Sequence, residues 1–217
     1  MPTGTNVSMN LADETSLYTV TVDLQATVLA PTSNSNTEYV LASNLDPTTL
    51  HTISVYKRTE AGLNGVSAVF AGFVVDGTLL DFRTASMHPN LRKVATLPGR
   101  SLEFWGDSIT CGYGDLGVAP CNFTPATEDS SQTYATFTSE LLFADTRVVA
   151  WSGKGVVRNY GAPNVTSPDP MPTLIPLTTG HGGKWNFSSW TPSALVVNLG
   201  TNDYSTSPQP PEVGIIP

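Results

Sequence analysis

The stretch Glu103-Phe-Trp-Gly-Asp-Ser-Ile-Thr-Cys-Gly-Tyr-Gly114 decides how the second half of this chain folds. Leu102 to Trp105 is a mostly apolar run, long enough for one buried strand. It stops at Gly106, where the backbone can turn sharply at low steric cost. Asp107 and Ser108 stand where the strand hands over to the next element, so the Ser108 hydroxyl falls at the carboxyl end of a sheet. That is where α/β proteins place their chemistry. A serine is a poor nucleophile until a base takes its proton and donors receive the developing oxyanion. Gly-Asp-Ser by itself fits a structural turn equally well.

Two further pieces follow in order, Trp151-Ser-Gly-Lys-Gly-Val-Val-Arg158 and Val196-Val-Asn-Leu-Gly-Thr-Asn-Asp203. Each comes directly after a β-type run, Arg147 to Ala150 and Leu195 to Leu199. Three strand ends would then bring Ser108, Gly153 and Asn202 together. Between the first two strands, Ser130 to Leu142 reads as a helix with Tyr134, Phe137, Leu141 and Leu142 on one face and Asp129 or Ser130 as its cap. Glu128 and Asp129 place negative charge at its start, favourable to the helix dipole. Strand, helix, strand alternation favours a parallel sheet covered by helices. Asn159 to Pro192 is a long loop rich in Pro and Gly, of a length that is usually functional.

The first part of the chain has a different period. Leu17 to Val22 alternates as a half-buried strand; Glu38 to Leu41, Leu50 to Tyr56, Ala68 to Val75 and Thr78 to Phe82 follow, with turn chemistry at Asn44 to Pro47 and Asp76-Gly77. Short strands at this spacing predict a β-sandwich over residues 1–98. The segment Met87 to Arg100, with Pro89, Pro98 and Gly99, reads as the linker, and an α/β domain runs over residues 99–217.

Charged residues are sparse at 13%, while 18 Gly and 17 Pro indicate a loop-rich, strand-rich extracellular type of protein. Ten basic against eighteen acidic residues leave a net charge of −8, which repels phosphate backbones and argues against a nucleic-acid partner. No run approaches the roughly 18 apolar residues of a membrane helix, so no membrane partner is expected. The first residues show no signal peptide, yet Asn-x-Ser/Thr acceptors at Asn6, Asn122, Asn164 and Asn186 fit secretion. Cys111 and Cys121 are placed for a local disulfide, the alternative being two reduced, buried thiols. Two cysteines with no nearby histidine cannot complete a four-ligand metal site.

The blocks Gly106-Asp107-Ser108, Ser152-Gly153 and Gly200-Thr201-Asn202-Asp203 resemble the SGNH, or GDSL-type, hydrolases. The resemblance implies that Ser108 is the nucleophile and that its own N–H, the Gly153 N–H and the Asn202 amide form the oxyanion hole. Gly155 is the alternative to Gly153, because Gly-Lys-Gly aligns either way. A β-sandwich ahead of such a domain narrows the likeness to carbohydrate esterase family 2, the acetyl-xylan and acetyl-glucomannan esterases. Four pieces carry it: Leu41 to Arg58, Gly106 to Gly114, Ser152 to Tyr160 and Lys184 to Trp190. The fold implied is two-domain, an incomplete jelly roll followed by the first half of a three-layer α/β SGNH domain. The activity implied is cofactor-free removal of acetyl groups from a saccharide substrate by an extracellular enzyme.

The family's base is a late histidine, and nothing after Asp203 resembles its block. The reading is therefore a chain clipped at both ends, weakly active or inactive and marginally stable alone. His51 falls in a sandwich strand, His88 in the linker and His181 in a Gly-rich loop, where a base is hard to hold within reach of Ser108. Asp107 is expected to shape its turn, Asp203 to hold its loop, and Trp185 and Trp190 to anchor theirs rather than form a sugar platform. The alternatives are a non-catalytic sugar-binding remnant and a lipid or thioester hydrolase of the same superfamily.

Overall fold

The computed structural model describes residues 5–60, 68–78, 99–120, 124–177 and 182–207. The chain divides into two compact units, Met1–Gly99 and Arg100–Pro217. The described residues of the first unit form strands β1 (Val7–Asp13), β2 (Tyr18–Val22), β3 (Gln25–Leu29), β4 (Ser33–Ala42), β5 (Ile53–Lys57) and β6 (Val69–Val75). They pair antiparallel in two sheets, β4-β1-β6 and β3-β2-β5. Alternation turns Met9 and Leu11 of β1 and Tyr18 of β2 inward. Leu29, Tyr39, Leu41 and Val55 from the flanking strands complete one apolar cluster fed by both sheets.

Strands β1 and β3 go beyond the sequence expectation. The buried alternation Val7, Met9, Leu11 was readable, but it ends on Asp13, a buried carboxylate. Asp13 is stabilised by hydrogen bonds from the Thr15 and Ser16 N–H groups and the Tyr18 hydroxyl, the last at 2.7 Å. β2 and β3 are joined by Asp23 and Leu24, both at positive φ (50° and 86°). His51 lies just before β5 rather than inside a strand, with Nδ1 2.5 Å from the Asp23 carboxylate. Much of the expected return strand Thr78 to Phe82, most of the linker, and Cys121, His88, His181 and the residues after Ser207 lie outside the described residues.

The second unit is built on a parallel sheet in the order β8-β7-β9, with β7 (Arg100–Gly106) central between β8 (Ala144–Ala150) and β9 (Ala194–Asn198). A short helix α1 (Ser108–Cys111) follows β7, α2 (Tyr134–Leu142) precedes β8, α3 (Met171–Leu174) lies in the long connection and α4 (Thr201–Tyr204) follows β9. Leu102 and Phe104 of β7 pack with Ala135 of α2, and Tyr134 meets Phe104 edge-on at 5.8 Å. The expected helix from Ser130 begins later. Asp129 accepts from the Ser131 N–H at 3.0 Å and caps a separate 3-10 turn (Ser130–Gln132), and Thr133 caps α2. Short polar side chains that bond nearby backbone compete with helix propagation, which accounts for the break. Glu128 is buried ahead of this turn rather than exposed at a helix start.

Candidate active site

The register sets the three strand ends level. Gly106 lies opposite Ala150 on one side and Asn198 on the other. The chain leaves β7 for β8 on one side and reaches β9 on the other, so the strand order reverses beside β7. In open α/β sheets the crevice at such a reversal, beyond the carboxyl ends of the strands, is where ligands bind. The segments that follow these ends carry Ser108, Gly153 and Asn202.

Gly106 is required by close approach: a Cβ there would stand 1.9 Å from Thr110 Oγ1. The next residue, Asp107, is the N-cap of α1. Its Oδ1 accepts from the Ile109 N–H at 3.1 Å, as expected of a turn-shaping carboxylate. Because Asp107 does the capping, the Ser108 hydroxyl is not used for it. Among the described residues neither Ser108 Oγ nor the Ser108 N–H has a hydrogen-bond partner. Asp107 is fully buried; burial pushes its carboxyl up from the ordinary value, and the Asp203 charge adds to this against the Ile109 bond.

Gly153 has φ +78°, the left-handed region that suits glycine, and its N–H has no partner among the described residues. Its carbonyl accepts from the Tyr160 N–H at 2.8 Å. Gly155 has a different task. A Cβ there would lie 2.0 Å from the Arg158 carbonyl oxygen and 2.5 Å from Asp203 Oδ2, and its N–H donates to Asn159 Oδ1 at 3.2 Å. Gly153 thus offers an open N–H, whereas Gly155 fills a tight packing position.

Asn202 and Asp203, both buried, bind the three strand ends to one another. Asn202 Nδ2 donates to the Lys154 carbonyl at 2.8 Å and to Asp107 Oδ2 at 3.3 Å. Asp203 accepts from the N–H groups of Val156, Val157 and Arg158 at 2.9, 2.7 and 2.9 Å. Asp203 therefore holds the Gly153–Arg158 loop, as the sequence led us to expect.

The clamp completed by Arg158 was not foreseen. Its side chain, fully buried, donates to the carbonyls of Asn164, Thr206, Ala162 and Ser207. An arginine just after a Gly-rich turn is the only sequence signal for it. Lys154 adds an outer tie, 2.5 Å from Asp169 Oδ2. Trp185 and Trp190 both stack on Arg147 of β8, at 4.7 and 4.4 Å, and Trp190 Nε1 donates to Asp145. They anchor their loop to β8. Cys111 is buried in α1, and its expected disulfide partner lies outside the described residues.

The arrangement brings a serine hydroxyl, two open N–H groups and a buried amide to one sheet end, the parts an acyl-transfer site uses. Residues 3–82 match the family described as Carbohydrate esterase 2 N-terminal. The chain is 42% identical over 160 residues to a cellulase/esterase, CelE, of Acetivibrio thermocellus, covering 72% of this chain and 18% of that protein. It is 31% identical to an acetylxylan esterase/glucomannan deacetylase of Cellvibrio japonicus, over 94% of this chain and 53% of that one. A solved family two carbohydrate esterase from Clostridium thermocellum, in complex with cellohexaose, superposes with TM-score 0.78 at 33% identity. That match covers 95% of this chain and 59% of the other. The chain thus spans about half or less of the length of these curated relatives.

Proposed function

From the relationship of this chain to the family 2 carbohydrate esterases, we propose that it is a serine ester hydrolase that removes acetyl groups from carbohydrate. The single observation that carries this reading is the level ending of β7, β8 and β9, which gathers Ser108, Gly153 and Asn202. Ser108 Oγ attacks the acetyl carbonyl and loses its proton to a base. The carbonyl oxygen becomes an oxyanion received by the N–H groups of Ser108 and Gly153 and the Asn202 amide. The tetrahedral adduct expels the sugar hydroxyl, leaving an acetyl-enzyme, and water releases acetate. The chemistry needs no cofactor.

Among the described residues no side chain is hydrogen-bonded to Ser108 Oγ. The first unit is read as the jelly roll of the family, which its two antiparallel sheets and shared core support. The second is read as the opening portion of a three-layer SGNH domain. An extracellular location fits a polysaccharide substrate and the Asn-x-Ser/Thr acceptors at Asn6, Asn122, Asn164 and Asn186.

The test is acetate release from acetylated xylan and glucomannan, with Ser108→Ala as control. The variant is expected to lose at least about 10³-fold in kcat, the scale on which a nucleophile is missed. Equal rates in the two proteins would end the esterase reading. Saccharide binding without turnover is the second reading, favoured by the cellohexaose held by the C. thermocellum relative. Cello-oligosaccharide binding by a chain that releases no acetate from any acetylated sugar would select it.

A further inference from the structure

We propose that Asp107 is a positioning residue that orients the Asn202 amide for the oxyanion; this rests on the roles given to Ser108 and Asn202 above. The observation is one buried carboxylate with two separate partners. Oδ1 accepts from the Ile109 N–H at 3.1 Å and sets the start of α1, hence the place of Ser108. Oδ2 accepts from Asn202 Nδ2 at 3.3 Å, across ninety-five residues of sequence. Asp107 is 0% exposed, so these bonds are made away from water, where they count most.

The two hydrogens of Nδ2 are unequally held. One is on the Lys154 carbonyl at 2.8 Å and sets the rotation of the amide plane. The other is on Asp107 at the longer distance of 3.3 Å, close to the limit of a useful bond. As negative charge grows on the substrate oxygen, the weaker bond is the one that yields, and the amide stays in plane because Lys154 still holds it. Asp107 thereby keeps the donor aimed in the resting protein and gives it up in the transition state. A carboxylate serves this better than a neutral acceptor because it offers no competing N–H. An amide at the same position can still cap α1.

The experiment is a double-mutant cycle with p-nitrophenyl acetate, using Asp107→Asn, Asn202→Ala and the pair. Asp107→Asn is expected to lower kcat roughly tenfold or more with KM within about twofold, because an Asn202 amide no longer aimed by Asp107 is a poorer donor to the oxyanion, a contact made only in the transition state. In the Asn202→Ala background the same change is expected to cost little more, since coupled residues are non-additive. Independent, additive losses would overturn the proposal, as would a loss confined to KM. A second readout does not need turnover: the side-chain amide resonances of Asn202 in a ¹H–¹⁵N spectrum. They are expected to move in Asp107→Asn while other asparagine side chains stay in place. An unmoved Asn202 signal would overturn the proposal. A wild-type chain that releases no nitrophenolate would instead overturn the esterase reading, and the Asn202 resonances would then decide the positioning role alone.

Discussion

Asp76 and Asp13 of the first unit and Asp107 of the second are carboxylates used in opposite ways. In the first, carboxylates fasten turns. Asp76 accepts from the Thr5 and Asn6 N–H groups and side chains, and these bonds hold it down at about 2. Burial pushes Asp13 up, but the Tyr18, Thr15 and Ser16 hydrogen bonds outweigh it, and the group ends below its ordinary value. In the second, burial dominates at Asp107, just past the end of β7, and drives its carboxyl up. A carboxylate with enough donors is a structural staple. One packed at a strand end with a single backbone N–H and a weakly held amide is a group whose partners can change. Perturbation by burial at the mouth of a parallel sheet marks candidate chemistry in a way that a satisfied turn does not.

The largest test of this contrast is Asp203→Ala. It strands the N–H groups of Val156, Val157 and Arg158 beside a buried guanidinium. An unsatisfied buried donor, here the Arg158 N–H, costs about 1–3 kcal/mol and the two half-buried ones less, so a loss of roughly 3 kcal/mol is expected. The four tryptophans, at 105, 151, 185 and 190, all lie in the second unit, so their fluorescence during denaturant unfolding reports that unit alone. A change below about 1 kcal/mol would mean that the loop does not depend on this clamp.

A second pair of variants sharpens the division of labour inside the loop. Gly155→Ala forces a Cβ to 2.0 Å from the Arg158 carbonyl and is expected to destabilise by about 1–3 kcal/mol, as overpacking does. Gly153→Ala meets nothing nearer than 3.9 Å. It is expected to cost only roughly 1 kcal/mol, from the left-handed backbone. The same fluorescence melts rank them, and the reverse order would exchange the two roles.

The smallest effect is on titration. Asp76 is depressed on folding, so its contribution is fully present above its unfolded value of 3.8 and is lost as pH falls through about 2. Asp107 is raised, so its neutral form is favoured on folding. That contribution is present below the unfolded value and is lost as pH rises through the folded one. Carboxyl ¹³C shifts followed across pH are expected to place the Asp76 midpoint near 2 and the Asp107 midpoint above 3.8. Equal midpoints would remove the contrast from which these tests proceed.

Much of the candidate site was legible in the chain because its signals are local. An apolar run that stops at Gly106, followed by Asp-Ser, is strand, turn and cap chemistry written in consecutive residues. The same holds for the strands at Ala144–Ala150 and Ala194–Asn198 and for the glycine at positive φ in between. The first unit was less legible. β1 and β3 carry polar residues and a buried Asp13, so their apolar period is broken where hydrogen bonds replace hydrophobic contacts.

Consecutive residues alone specify the identity of the groups and the elements that end beside them: Ser108 after β7, Gly153 after β8, Asn202 and Asp203 after β9. Tertiary structure alone decided their partners. Asn202 reaches Asp107 and Lys154, Asp203 reaches three N–H groups some forty-five residues earlier, Arg158 closes on four carbonyls, and Trp185 and Trp190 stack on Arg147. The reason is physical. Turn and period preferences act over a few residues, whereas these bonds exist only once the order β8-β7-β9 has brought distant strand ends level.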